Sequence, residues 1–213
     1  MKHNSIIAYE GFPFIILFLF LTVLAAFLGF IWLAAILAAI TVFVICFFRN
    51  PERTFQDEDK LVICPADGKV IKIEDVDVHG TITGRFKKIS IFMNVFNVHV
   101  NRVPYDGTIE KIQYHKGKFL SANLDKASAE NERNEVMIRT QDDRIIWVVQ
   151  IAGLVARRIV CWASQGTILK KGERFGLIRF GSRVEVFLPS DSRIVITPGE
   201  KVRAGKTRLG YLS

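Results

Sequence analysis

From Phe12 to Phe48 the chain is almost unbroken apolar sequence, and no Lys, Arg, Asp, Glu or His occurs between Gly11 and Phe48. One perpendicular membrane helix needs about 20 residues, so this run is too long for one. Gly29, in Leu28-Gly29-Phe30-Ile31-Trp32, is the natural break between two short helices. A single tilted helix and a hairpin dipping into one leaflet are the alternatives. The run also exceeds a secretory core and shows no small-x-small site before its end, which speaks against a cleaved signal peptide. Residues 50–60 are polar and turn-rich. Beyond them the period falls to two, as in Lys69-Val70-Ile71-Lys72-Ile73, Ile89-Ser90-Ile91-Phe92-Met93, Glu135-Val136-Met137-Ile138-Arg139 and Arg144–Val149. Short alternating runs broken by Gly and Pro predict strands. Residues 121–133 are expected to hold a short helical or irregular connection.

The turns repeat. Pro65-Ala66-Asp67-Gly68-Lys69-Val70 and Pro104-Tyr105-Asp106-Gly107-Thr108-Ile109 share a Pro-x-Asp-Gly-x-aliphatic pattern, and Ala163–Ile168 is a looser copy. In each, glycine lets the chain turn tightly before a strand begins. Ile196-Thr197-Pro198-Gly199-Glu200-Lys201-Val202 adds another turn of that style. The expected fold is therefore mainly β (α+β), a compact barrel-sandwich-like domain over residues 61–213. A linker (50–60) and a hydrophobic helical membrane anchor (1–49) precede it.

Charge narrows the partners. Of 29 Lys and Arg and 21 Asp and Glu, all but Lys2 and Glu10 lie from Arg49 onward, so the net charge of +8 belongs to the soluble part. The excess is spread over pairs such as Lys87-Lys88, Arg157-Arg158 and Lys170-Lys171. No nucleic-acid-binding signature accompanies it, so no nucleic-acid partner is expected. A basic domain tethered beside an anionic bilayer is the better reading. Arg49 and Arg53 flank the exit of the apolar run and favour the cytoplasmic side, where Lys2 would also lie if the run crosses twice. Cys46, Cys64 and Cys161 are isolated; no Cys-x-x-Cys pair or metal-ligand cluster appears, and free thiols suit a reducing compartment.

The candidate chemistry lies in Arg179-Phe180-Gly181-Ser182-Arg183. By itself a Gly-Ser pair between alternating runs is an ordinary turn. A serine hydroxyl can nevertheless attack the carbonyl before it, and glycine there removes crowding and permits strained dihedrals. Elimination from the resulting ester leaves Gly181 as a new C-terminus and a dehydroalanine at 182. Hydrolysis with loss of ammonia then gives a pyruvoyl group at the head of 182–213. Such a weak nucleophile needs a base and an oxyanion-stabilising setting.

This segment, the apolar run followed by Phe47-Phe48-Arg49-Asn50-Pro51-Glu52-Arg53, and Pro65-Ala66-Asp67-Gly68 occur in an order and spacing that resembles the short form of phosphatidylserine decarboxylase. The resemblance implies self-cleavage between Gly181 and Ser182 into 1–181 and 182–213, which stay together as a heterodimer, with higher oligomers left open. It implies a covalent pyruvoyl cofactor on Ser182, a Schiff base with the substrate amine, and loss of the carboxylate into the conjugated imine. No metal is implied. The family's Pro-Ala-Asp-Gly aspartate is implicated in processing and matches Asp67, whose plain reading is a turn residue; Asp106 in the echoed turn lacks that backing and reads as structural.

His99, in Phe96-Asn97-Val98-His99-Val100-Asn101-Arg102-Val103-Pro104, matches the first of two histidines that longer members carry three apart; Arg102 stands in place of the second. An Asp-His-Ser triad through that second histidine is therefore not transferable. Alternation would put Asn97, His99 and Asn101 on one strand face. His99 is expected to serve as acid, base or carboxylate binder. Longer members have Leu-Gly-Ser-Thr at the cut, whereas short forms share the Gly-Ser-Arg found here. Arg183 is expected to meet an anionic phosphate or carboxylate.

The implied activity is conversion of membrane phosphatidylserine to phosphatidylethanolamine at the cell (inner) membrane, with the catalytic domain cytoplasmic. Alternatives are decarboxylation of a serine ether lipid or of a soluble amino acid, and a non-enzymatic membrane-tethered adaptor in which Gly181-Ser182 is incidental.

Overall fold

The structure, a computed structural model, describes residues 4–78, 83–122, 127–154, 158–179 and 181–213, with the side chain of Ala129 excepted. Lys2, Arg157 and Phe180 lie outside the described residues. The chain divides into two compact units, Met1–Glu52 and Arg53–Ser213.

The first unit is a helical hairpin. Helices α1 (Phe12–Phe27) and α2 (Ile31–Phe47) are separated at Gly29, whose φ of 79° ends the first helix as the sequence predicts. Thr22 and Thr41 hydroxyls meet 3.4 Å apart between them. The flanking segments close the hairpin: the Ala8 N–H donates to Phe48 O and the Asn50 N–H to Ile6 O. Large apolar side chains such as Phe20, Val23, Trp32 and Ile36 stand exposed on it. Tyr9–Phe27, which adds a short 3-10 turn to α1, is long and apolar enough to cross a membrane.

The second unit is almost wholly β. In chain order its strands are β1 (Leu61–Ile63), β2 (Gly68–Val78), β3 (Gly84–Met93), β4 (Val100–Arg102) and β5 (Gly107–His115). Next come β6 (Arg133–Arg139), β7 (Ile145–Ala152), β8 (Ile159–Cys161), β9 (Ile168–Leu169) and β10 (Arg174–Ile178). The last are β11 (Ser182–Pro189), β12 (Arg193–Ile194), β13 (Lys201–Val202) and β14 (Arg208–Tyr211). Eight form one curled antiparallel sheet in the order β13-β2-β3-β11-β7-β6-β5-β9. Two three-stranded sheets, β4-β10-β8 and β1-β14-β12, complete the unit. One short helix, Ala127–Glu130, occupies the stretch expected to hold a short helical or irregular connection.

Alternation along β11 decides which side chains meet. Val184, Val186 and Leu188 are buried with Ile89, Ile91, Val136 and Val148 in the main core. Each such burial contributes about 1.5–3 kcal/mol. Phe187, on the other face, joins Phe86, Val149 and Ile151, and stacks on Trp147 with centroids 4.4 Å apart.

The sequence echo is a structural repeat. Gly68 and Gly107 each open a long strand, and a Cβ on either would lie 2.1 Å from Phe92 O or 2.5 Å from Arg139 O. Each strand has a bulge just beyond, after Val70 and after Ile109, and each carries a two-residue strand on its outer side. The preceding aspartates act alike: the Ala204 N–H donates to Asp67 Oδ1 at 2.8 Å, and the Lys171 N–H to Asp106 Oδ1 at 2.6 Å. The stretch after Glu52 is no loose linker. Asp57 pairs with Lys171 at 2.7 Å, and the Tyr211 hydroxyl donates to Glu58 at 2.6 Å.

Candidate active site at the head of the central strand

Ser182 is the first residue of β11, the strand flanked by β3 and β7. Its partners across the ladders are Met93 and Ala152, the last residues of those strands. The Gly181–Ser182 bond therefore lies at one edge of the large sheet, where the chain arrives from β10 in the smaller one. Ser182 is fully buried, and its hydroxyl contacts Met93 Sδ at 3.4 Å, a weak acceptor. That contact leaves the oxygen lone pairs available.

Two glycines shape the bond. Gly181 has φ +71°, in the region that side chains disfavour, yet a Cβ there would meet nothing closer than Val95 at 4.0 Å. Gly153 faces it across the β7 side. A Cβ on Gly153 would fall 2.4 Å from Gly181 O and 3.1 Å from Gly181 C, so only glycine admits the carbonyl in this place.

His99 is buried, not on an open polar face. It lies one residue before β4, an outer strand of the smaller sheet that pairs with β10, and its carbonyl accepts from the Ile178 N–H at 3.3 Å. The Gly181 N–H donates to His99 Nε2 at 3.2 Å, and His99 Nδ1 lies 3.0 Å from Asn97 O. Those contacts fit the neutral ring with its proton on Nδ1. Beneath the site runs a buried amide chain. Asn134 donates to Gln150 at 2.9 Å, Gln150 to Asn101 at 2.8 Å, and Asn101 to Met93 Sδ at 3.8 Å.

Asp67 is buried, and both its oxygens are engaged. Arg53 forms a two-pronged ion pair with it, Nη2 to Oδ2 at 2.8 Å, while Oδ1 also receives the Ala204 N–H. Two motifs of the resemblance thus meet in one salt bridge, and among the described residues it is His99 that touches Gly181. Beside it, burial pushes the Cys64 thiol up to about 12 and keeps it protonated. Arg102, in the second histidine's place, donates to Gly172 O at 2.7 Å.

Arg183 is placed on the opposite face from the reacting side chain. Adjacent strand residues face opposite ways, so Arg183 points away from the Ser182 side chain. Its guanidinium is 3% exposed, pairs with Glu185 at 2.7 Å and donates to Ala122 O at 3.3 Å. Glu185 in turn accepts from Ser90 and Ser128. Gly153, Met93 and the Arg53 partnership were not foreseen. A glycine ending a strand run was the one available signal for Gly153.

The family model described as phosphatidylserine decarboxylase matches residues 40–210. The chain belongs to the phosphatidylserine decarboxylase family. A phosphatidylserine decarboxylase proenzyme of Syntrophus aciditrophicus is 56% identical over 99% of both chains. Proenzymes of the same name from Syntrophotalea carbinolica and Cupriavidus taiwanensis are 47% and 49% identical, over 99% of each chain and over 98% and 97% respectively. Membership makes the chain a decarboxylase, a lyase, and the family match spans all the residues placed above.

Proposed function

We propose that the chain cuts itself between Gly181 and Ser182, carries the resulting pyruvoyl group on residue 182, and decarboxylates phosphatidylserine to phosphatidylethanolamine. The observation that carries the reading is the setting of the scissile carbonyl. Gly181 turns with positive φ, Gly153 admits its oxygen, His99 accepts from its N–H, and among the described residues the Ser182 hydroxyl is held only by a thioether. Ser182 Oγ attacks Gly181 C, the amide becomes an ester, and removal of the Ser182 α-proton expels the Gly181 carboxylate. Water then replaces the nitrogen at 182, which leaves as ammonia.

A buried position whose described neighbours include the neutral His99 ring and the Met93 thioether fits a pyruvoyl group. That group supplies an electrophilic carbonyl and a sink for the electrons of the departing carboxylate. His99 has two successive duties. In the uncut chain its Nε2 lone pair is occupied by the Gly181 N–H, so it positions the bond. After cleavage Gly181 becomes a chain end, and as that end moves Nε2 can turn to a carboxylate or move a proton beside residue 182.

Asp67 acts at one remove. Its pair with Arg53 fixes the turn into Gly68, which packs on Phe92, next to the Met93 that contacts Ser182. A direct base role would require that pair to open. The apolar hairpin of the first unit anchors the chain in the cell membrane, with the β unit on the cytoplasmic side.

The test is carbon dioxide release from phosphatidylserine vesicles by the full chain. Release is expected from wild type and none from Ser182→Ala; release from free serine alone would overturn the lipid reading. Asp67→Asn and Arg53→Gln are expected to slow cutting alike, because either breaks the pair. Undiminished cutting by Arg53→Gln would return Asp67 to a direct role.

A further inference from the structure

Among the described residues of the β unit five large apolar side chains are exposed: Phe96, Tyr114, Leu154, Ile168 and Val195. Single exposed apolar residues are ordinary on soluble proteins. Phe96 and Leu154 are placed otherwise. β11 lies between β3 and β7, and these two residues sit on the segments that leave β3 at Met93 and β7 at Ala152. Their neighbours touch the scissile residue from both sides: Val95 stands 4.0 Å from a Cβ built on Gly181, and Gly153 faces the Gly181 carbonyl. Phe96 is 72% and Leu154 66% exposed, whereas Ser182 between them is fully buried.

The Phe96 tip is held out by its own turn. The Asn94 side chain accepts from the Phe96 N–H, and Asn97 Oδ1 accepts from the Asn94 N–H, both at 2.9 Å. These bonds fix the backbone of the turn that presents the 72% exposed Phe96 ring. On the other side exposed Arg158 follows Leu154 within the same connection and ahead of β8.

We infer that Phe96 and Leu154 form an apolar lip by which the β unit docks into the interface of an anionic phospholipid bilayer, with the Gly181–Ser182 edge turned to the headgroups. The inference rests on the phospholipid reading proposed above. Apolar tips seat at the headgroup–acyl boundary while basic residues meet anionic headgroups. Exposed Arg158 supplies that complement, on a chain whose net charge of +8 favours an anionic surface. The lip also gives a buried site its route: a headgroup drawn a short way out of the bilayer meets residue 182 without the lipid leaving the membrane.

The full-length, self-cut protein is compared with its Phe96→Ser/Leu154→Ser variant on two substrates. One is long-chain phosphatidylserine in vesicles, the other short-chain phosphatidylserine below its micelle concentration. The variant is expected to cut itself fully, to turn over the monomeric lipid within about twofold of wild type, and to lose at least tenfold on vesicles. Equal rates on vesicles, or equal losses on both substrates, would overturn the lip. A second readout is independent of activity. Tryptophan in Phe96→Trp is expected to be quenched by vesicles whose lipid chains are brominated, beyond the quenching of the parent protein; no added quenching overturns the inference. Quenching in a protein that decarboxylates neither lipid would sink the substrate reading and leave the lip standing.

Discussion

At position 181 glycine is required by backbone angle, and at position 153 by space. The two requirements meet on one carbonyl oxygen. Gly153→Ala would drive a methyl group into contact 2.4 Å from that oxygen, so the carbonyl must shift or rotate. Misplacing a reacting group by about 1 Å can cost about 100-fold. Gly153→Ala is therefore expected to slow cutting by at least about 100-fold while the protein keeps its fold. A time course of chain cleavage on denaturing gels, with circular dichroism as the folding control, checks this. Wild-type cutting would show that the oxygen's placement is immaterial. The family's motifs made Gly181, Ser182, Asp67 and His99 candidates from the sequence. Gly153 was not, because its importance lies in a contact across strands. Asp67 was legible as a residue but not as a partner of Arg53, since nothing in local spacing links a linker arginine to a turn aspartate.

At the scale of elements, the strand decides where Arg183 points. It follows the reactive serine directly, and in a strand that adjacency means opposite faces. Its pairing with Glu185, two residues along on its own face, is a buried ion pair with both side chains under 5% exposed. Breaking such a pair on one side leaves a buried charge and costs about 3–5 kcal/mol, whereas replacing both by apolar groups is often neutral. In the uncut Ser182→Ala background, Arg183→Met or Glu185→Leu alone is expected to destabilise strongly, and the double change to recover most of the loss. Urea unfolding of the three variants decides this; additive losses would mean that the pair is not coupled. The period-two runs located the long strands because each buries one full face. The two- and three-residue strands were invisible, being too short to alternate. The break at Gly29 was legible since charge-free sequence leaves glycine as the lone signal.

For the molecule as a whole, the paired Pro-x-Asp-Gly turns show an architecture built twice, with β2 and β5 in corresponding places on either side of the central strands. Cutting before Ser182 leaves β11 hydrogen-bonded to both β3 and β7, and β14 paired with β1 and β12. Residues 182–213 would thus stay in place as a separate chain holding the middle of the main sheet. The central claim is that this chain exists and begins with a pyruvoyl group. Denaturing mass spectra of the full protein, purified in detergent from the membranes that made it, test that claim directly. The account predicts two chains that meet between Gly181 and Ser182, the smaller lighter by one ammonia than a peptide starting with serine. A single intact chain from membranes that show the activity would contradict it.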